Sequence, residues 1–166
     1  MPTDAEITFA DHAGRLYARR YAMAPVVGRL LGYLVICDPR EQSIAELADA
    51  LLASRSAIAG AVKTLEQIGL VRRSRAAGER MDRVSINLHS QRAMGFDPTE
   101  YQEQAALARE GLAILADAPA ARRVLLLQMV AFADWLTARL PEWEKDWEAH
   151  RDALHAAGEL PGPADC

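Results

Sequence analysis

The sequence predicts a mainly α-helical fold with one small antiparallel hairpin, an α+β arrangement in which the β part is minor. Three observations carry this. Apolar residues make up 51% of the 166 residues and aromatics only 6%, so the core is built from Ala, Leu, Val and Ile, which suits helices better than a β-sandwich. Capped segments with helical apolar spacing recur along the chain. One stretch, VRRSRAAGERMDR at 71–83, leaves that period and gathers five arginines around a glycine.

Residues 4–21 predict a first helix, with Ile7, Ala10, Gly14, Tyr17 and Tyr21 at helical spacing. Pro25 suits the first position of a second helix running to about Cys37. Val26, Leu30, Leu31, Leu34 and Val35 make it largely buried, and Asp38-Pro39 ends it, because the residue before proline avoids the α region. Ser43 and Glu46 form a capping box. Ile44, Leu47, Ala48 and Leu51 then line one face of a short helix. A turn at Ala53-Ser54 leads into RSAIAGAVKTLEQI, with Ser54 as N-cap and Gly69 as the left-handed residue past its end. Ile58, Ala61, Val62, Leu65 and Ile68 form its apolar face. Ser56, Ala59, Gly60, Lys63 and Gln67 fall opposite.

LVRRSR and MDRVSI read as two strands joined by an AAGE turn, with Val84 and Ile86 on one face and Arg83 and Ser85 on the other. Asp97 as N-cap and Pro98 at the first position open a helix to about Asp117. Pro119 opens the next, running to about Leu140. Pro141 interrupts it or begins PEWEKDWEAHRDALHAAG, where Trp143 and Trp147 are an i, i+4 pair. The tail ELPGPADC is expected to fray.

Two short helices joined by a tight turn, the second with a small polar outer face, match a helix-turn-helix, and a hairpin directly after it is a wing. The expected organisation is 1–37 as N-terminal helices, 38–90 as a winged helix-turn-helix domain and 91–166 as C-terminal helices. The apolar surface of 98–140 exceeds what one small winged domain covers. The N- and C-terminal helices are therefore expected to form a dimerisation domain; the alternative is a larger monomeric bundle.

Charge points the same way. The chain carries net −4, yet residues 54–83 hold seven basic and three acidic side chains, while 97–166 hold six and thirteen. A basic patch on an acidic body suits a directed polyanion contact, and its plain alternative is a solvated charged hairpin. Phosphate neutralisation would fall to Arg72, Arg73, Arg75 and Arg83, and minor-groove insertion to Arg80 at the wing tip. Arg55, Ser54 and Ser56 would approach base edges or phosphate, Gly60 would permit close approach, and Lys63 would touch a phosphate.

Other classes find little support. No Ser/His/Asp spacing, P-loop, G-x-G-x-x-G or H-E-x-x-H is present, and His150 and His155 stand five apart, poor spacing for a metal; no enzyme, cofactor or metal is expected. The N-terminus MPTDAEITFADHAGR lacks a basic start and an apolar run. The apolar segment 124–136 is short for a bilayer and carries Gln128 and Asp134. A cytoplasmic protein with no membrane partner is expected. Cys37 and Cys166 make no disulfide framework.

The ordered words GRLLGYLVICDPREQSIAELADALLASRSAIAGAVKTLEQIGLVRRSRAAGERMDRVSI resemble the MarR family of bacterial transcriptional regulators, closest over residues 26–88. GRLLGYL, S-x-x-E-L-A, LEQIGLV and the A-G-E-R tip look like its GbsR-type branch. GRLLGYLVICDP followed by QS is similar to mycobacterial MarR-type repressors of MmpS–MmpL efflux systems. The resemblance implies a homodimeric repressor on an inverted-repeat DNA operator, released by a small hydrophobic effector, lipid-like or phenolic, or by a quaternary amine. Glu79-Arg80 matches the family's acidic-then-arginine wing tip, and Arg83 the arginine that follows it. Met81 stands where relatives carry a second arginine. Tyr17, Tyr21, Tyr33, Met94 and Phe96 are candidates for an effector pocket and equally for ordinary core. Two rival functions within the same fold are a thiol-based redox sensor and a protein-interaction module without DNA.

Overall fold

The structure, a computed structural model, describes residues 1–75, 81–88, 90 and 94–161. It divides into two compact units, residues 1–93 and 94–166.

The first unit opens with α1 (Asp4–Tyr21) and α2 (Pro25–Ile36). A capping box not anticipated from sequence starts α1: Thr3 accepts from Glu6 N, and Glu6 Oε2 accepts from Thr3 N at 2.6 Å. These hydrogen bonds hold the Glu6 carboxyl below its ordinary range. The two helices cross where side chains are smallest. A Cβ on Gly28 would stand 2.9 Å from Tyr17 Cβ and 3.0 Å from Gly14 Cα, and one on Gly32 would collide with Ala13 Cβ. On α2, Leu30, Leu31 and Leu34 are buried as expected, whereas Val35 is exposed.

β1 (Gln42–Ser43) leads into α3 (Ile44–Ala50), and a turn joins that to α4 (Arg55–Gln67). β2 (Val71–Ser74) and β3 (Arg83–Ile86) follow. The three strands form one antiparallel sheet in the order β1-β3-β2. Val71 pairs with Ile86 and Ser74 with Arg83, while Gln42 pairs with Val84. β1 is a correction to the two-stranded hairpin expected. Its two residues have no alternation to read, and Ser43 is also the N-cap of α3. The expected first strand, 70–75, is longer than β2 by one residue at each end, and the expected second, 81–86, begins two residues before β3 and ends with it. Ala10, Leu30, Leu34, Leu47, Ile58, Val62, Leu65 and Val84 share one buried core, so α1 and α2 pack into the same unit as the helix-turn-helix and wing.

The second unit is α5 (Thr99–Ile114) and α6 (Ala120–Ala156). Pro98 is the N-cap of α5, and Asp97 Oδ1 accepts from Thr99 N at 2.9 Å, one residue away from the expected cap. α6 folds back along α5, burying Ala133, Leu136 and Leu140 against a face that buries Ala105 and Ala108. Pro141 neither ends nor restarts the helix, which runs unbroken for 37 residues. Proline removes one helical hydrogen bond, but contacts bridge the site. Trp135 and Trp143 meet edge to face at 6.1 Å, and Arg139 pairs with Glu142 at 3.5 Å. Trp143 therefore partners Trp135, not Trp147, whose ring lies near His150.

By length and composition α6 passes the test for a membrane span, with mean hydropathy 1.3 over a window of which 17% is buried. The apolar run 124–136 is thus part of a longer helix than its own length implied. Much of its apolar surface is open: Leu125, Leu127, Phe132 and Trp135 are exposed, as are Leu107 and Ile114 on α5.

Candidate nucleic-acid interface

α4 is seated by its apolar face, with Ile58, Ala61, Val62 and Leu65 buried. Ser54 caps it, accepting from Ala57 N at 3.1 Å, with Ser56 Oγ 3.1 Å from Ser54 Oγ. Ser54, Arg55, Ser56, Gly60 and Lys63 are all exposed. A Cβ on Gly60 would meet nothing within 4 Å, so internal packing does not require glycine there. Within the described residues, neither Arg55 nor Lys63 has an ion-pair partner. Thr64 folds its hydroxyl onto Gly60 O at 3.1 Å, leaving a small, smooth outer surface.

The wing arginines are arranged differently. Arg72 donates to Ser85 Oγ at 3.3 Å and faces Glu41 at 3.8 Å. Arg73 pairs with Glu66 at 2.9 Å, tying β2 to the last turn of α4. Arg75 pairs with Asp82 at 2.7 Å across the base of the wing. Arg83 donates to Glu46 Oε2 at 2.7 Å. That carboxyl is held below its ordinary range, first by the backbone and side chain of Ser43 and then by Arg83. Arg80, with Glu79 and the glycine of the turn, lies outside the described residues.

Glu41 and Glu46, which oppose Arg72 and Arg83, lie outside the basic interval 54–83 and reach the wing only through β1 and α3. The basic patch is therefore uneven. Arg72, Arg73, Arg75 and Arg83 each carry an acidic neighbour, while Arg55 and Lys63 stand open on the recognition helix.

The turn between α3 and α4 holds a feature sequence reading did not single out. Leu52 has φ +49° and is 92% exposed. Beneath it Arg29 bridges Asp11, at 2.6 Å, and the carbonyl of Leu51, at 3.3 Å.

The five effector candidates do not gather within either unit. Tyr33 is buried in the core of the first unit, and burial raises its phenol pKa despite a hydrogen bond with Gln42. Tyr17 stacks on the exposed Tyr21 at 5.8 Å. Met94, exposed, and Phe96, half-buried, belong to the second unit. An open groove of about 370 Å³ on that unit is lined by Gln102, Ala105, Arg109, Ala133, Asp134 and Thr137, with Arg109 paired to Asp134; it contains none of the five. Cys37 is buried, its thiol pushed up mainly by burial, with Sγ 3.7 Å from Leu34 O. A buried thiol held protonated is a poor oxidant sensor. Cys166 lies outside the described residues.

A capped, outward-facing recognition helix followed by a two-stranded wing that pairs with β1 is the fold of a winged helix-turn-helix transcriptional regulator. Residues 37–80 match the MarR family, and residues 91–150 match the MmpR5-like MarR family transcriptional regulators. The chain is 35% identical over 124 residues to the HTH-type transcriptional regulator MmpR5 of Mycobacterium tuberculosis (strain ATCC 25618 / H37Rv), covering 73% of each. A solved structure described as a transcriptional regulator superposes with a TM-score of 0.81 at 29% identity, covering 87% of this chain and 99% of that one. The chain belongs to the MarR family. It is a transcriptional regulator and not an enzyme.

Proposed function

We propose that the protein is a homodimeric repressor that binds an inverted-repeat DNA operator and leaves it when a small hydrophobic, lipid-like effector binds, controlling an efflux or transport operon. The observation that carries the DNA reading is the outer face of α4. Ser54, Arg55, Ser56, Gly60 and Lys63 form a small, polar, cationic surface with no partner for either charge among the described residues. A major groove accepts such a helix, with Arg55 toward a guanine edge and Ser54, Ser56 and Lys63 toward phosphate. Arg80 enters the adjacent minor groove, and the paired wing arginines supply phosphate contacts with what their acidic neighbours leave.

The dimer is supported by the apolar side chains left open on α1, α5 and α6, among them Phe9, Leu16, Leu107, Ile114 and Trp135. In the second unit alone, Leu107 and Ile114 of α5 and Leu125, Leu127, Phe132 and Trp135 of α6 are exposed, and exposed apolar surface of this kind marks an interaction surface. In this reading α6 is a dimer helix and not a membrane span, since Asp134 of its apolar window pairs with Arg109, and the protein works in the cytoplasm.

The test is a salt-titrated shift assay with operator selected from random duplex, beside circular dichroism. Arg80→Ala is expected to weaken operator binding severely with an unchanged spectrum. Unchanged affinity at moderate salt would remove Arg80 from the interface, and failure of the wild type to select any duplex would remove DNA binding itself. A native mass spectrum showing co-purified lipid is the matching check on the effector class.

A further inference from the structure

α3, α4 and α6 close with the same pair of backbone hydrogen bonds. In α4 these run from Gly69 N to Glu66 O and from Leu70 N to Leu65 O, both at 2.9 Å. In α6 they run from Gly158 N to His155 O and from Glu159 N to Leu154 O. In α3 they run from Leu52 N to Asp49 O at 3.4 Å and from Ala53 N to Ala48 O at 3.0 Å. The residue at the centre of this closure must be left-handed, and glycine is its usual occupant. The chain places glycine there in α4 and α6, with φ +73° and +74°, but leucine in α3. A leucine in that conformation is disfavoured by contact of its Cβ with the backbone.

Internal packing does not explain the leucine. Leu52 is 92% exposed, against 1% for its neighbour Leu51. The turn itself is held from inside. Arg29, fixed to Asp11 at 2.6 Å, donates to Leu51 O at 3.3 Å, satisfying a carbonyl at the end of a helix where a cation is favoured. A disfavoured residue persists where its surroundings determine the conformation, and such residues cluster at functional surfaces. This turn is clamped beneath and presents a bare isobutyl group above.

Its position selects the occupant. Leu52 lies two residues before Ser54, the N-cap of the recognition helix, and is exposed as Ser54, Arg55 and Ser56 are. The apolar feature that a major groove offers beside such a helix end is the thymine C5-methyl group. We infer that Leu52 is a specificity-determining residue that packs on a thymine methyl at the edge of the operator half-site. This rests on the proposed DNA-binding reading.

The test uses the full-length protein and an operator enriched from random duplex by the wild type. Leu52→Gly relieves the left-handed strain, so its melting temperature is expected to be no lower than wild type, and loss of fold does not obscure the result. Its operator affinity is expected to fall about fourfold, the change that burial of one methyl-sized group carries, with affinity for unrelated duplex unchanged. Replacing operator thymines by uracil one at a time should reveal a position where the wild type loses that factor and Leu52→Gly loses none. Wild-type affinity in Leu52→Gly, or equal loss by both proteins at every uracil, overturns the assignment while DNA binding stands. Equal loss on operator and unrelated duplex assigns Leu52 to the sugar-phosphate backbone and likewise overturns it. If the wild type enriches no duplex, the DNA-binding reading fails and this assignment with it.

Discussion

Arg83 Nη1 donates to Glu46 Oε2 at 2.7 Å, and the same oxygen accepts the backbone N–H of Ser43 at 2.7 Å. One carboxylate thus closes the N-terminus of α3 and anchors the wing. Ser43 and Arg83 are also partners across the β1–β3 ladder, so side chains and backbone reinforce one junction.

Glu46→Ala is expected to lower stability by about 1 kcal/mol, the usual worth of a helix cap, with little added by the half-exposed ion pair. Glu46→Gln keeps a capping oxygen and should lose less. The sign with pH follows from the depressed carboxyl. Its stabilisation is complete above the ordinary carboxylate range and is lost as pH falls through that range and below. Urea midpoints of wild type and Glu46→Gln should therefore differ at neutral pH and converge as the pH falls below the ordinary carboxylate range. A difference constant with pH would show that the charge on Glu46 plays no part.

Glu66 and Arg73 set the balance between folding contact and phosphate contact. Both side chains are about one-third exposed, so the pair itself contributes little to stability. Glu66→Gln frees Arg73. The slope of log affinity against log salt on unrelated duplex should steepen by about one, with tighter binding at low salt. The stability change should stay within about 0.5 kcal/mol. An unchanged slope would mean that Arg73 does not reach the backbone of DNA.

Gly32 and Gly60 should respond oppositely to alanine. Alanine gains about 1 kcal/mol over glycine in a helix interior. At Gly60, where a Cβ meets nothing, that gain should appear as a higher denaturation midpoint, together with weaker operator binding because the helix can no longer approach as closely. At Gly32 the added Cβ collides with Ala13. Overpacking costs about 1–3 kcal/mol and should outweigh the propensity gain. Calorimetry on both variants checks the pair, and a stabilised Gly32→Ala would mean that α1 moves aside freely.

The sequence alone determined most of the elements of this protein. The capping box at Ser43 and Glu46, the Ser54 cap, Gly69, and the apolar spacing of 58, 61, 62 and 65 act through contacts within about four residues along the chain, so they are written locally. The outer face of α4 followed from the same period. Only the tertiary structure decided which wing arginines are opposed, because Glu41, Glu46 and Glu66 reach them through strand pairing and helix packing. It also decided β1, too short for any period, and the passage of α6 through Pro141, where aromatic and ionic contacts span the proline. At Leu52 local preference pointed to glycine, whereas the hydrogen bonds closing α3 and the Arg29 clamp impose a left-handed leucine. These features depend on groups distant in sequence, and their energies exist only once the chain has brought those groups together.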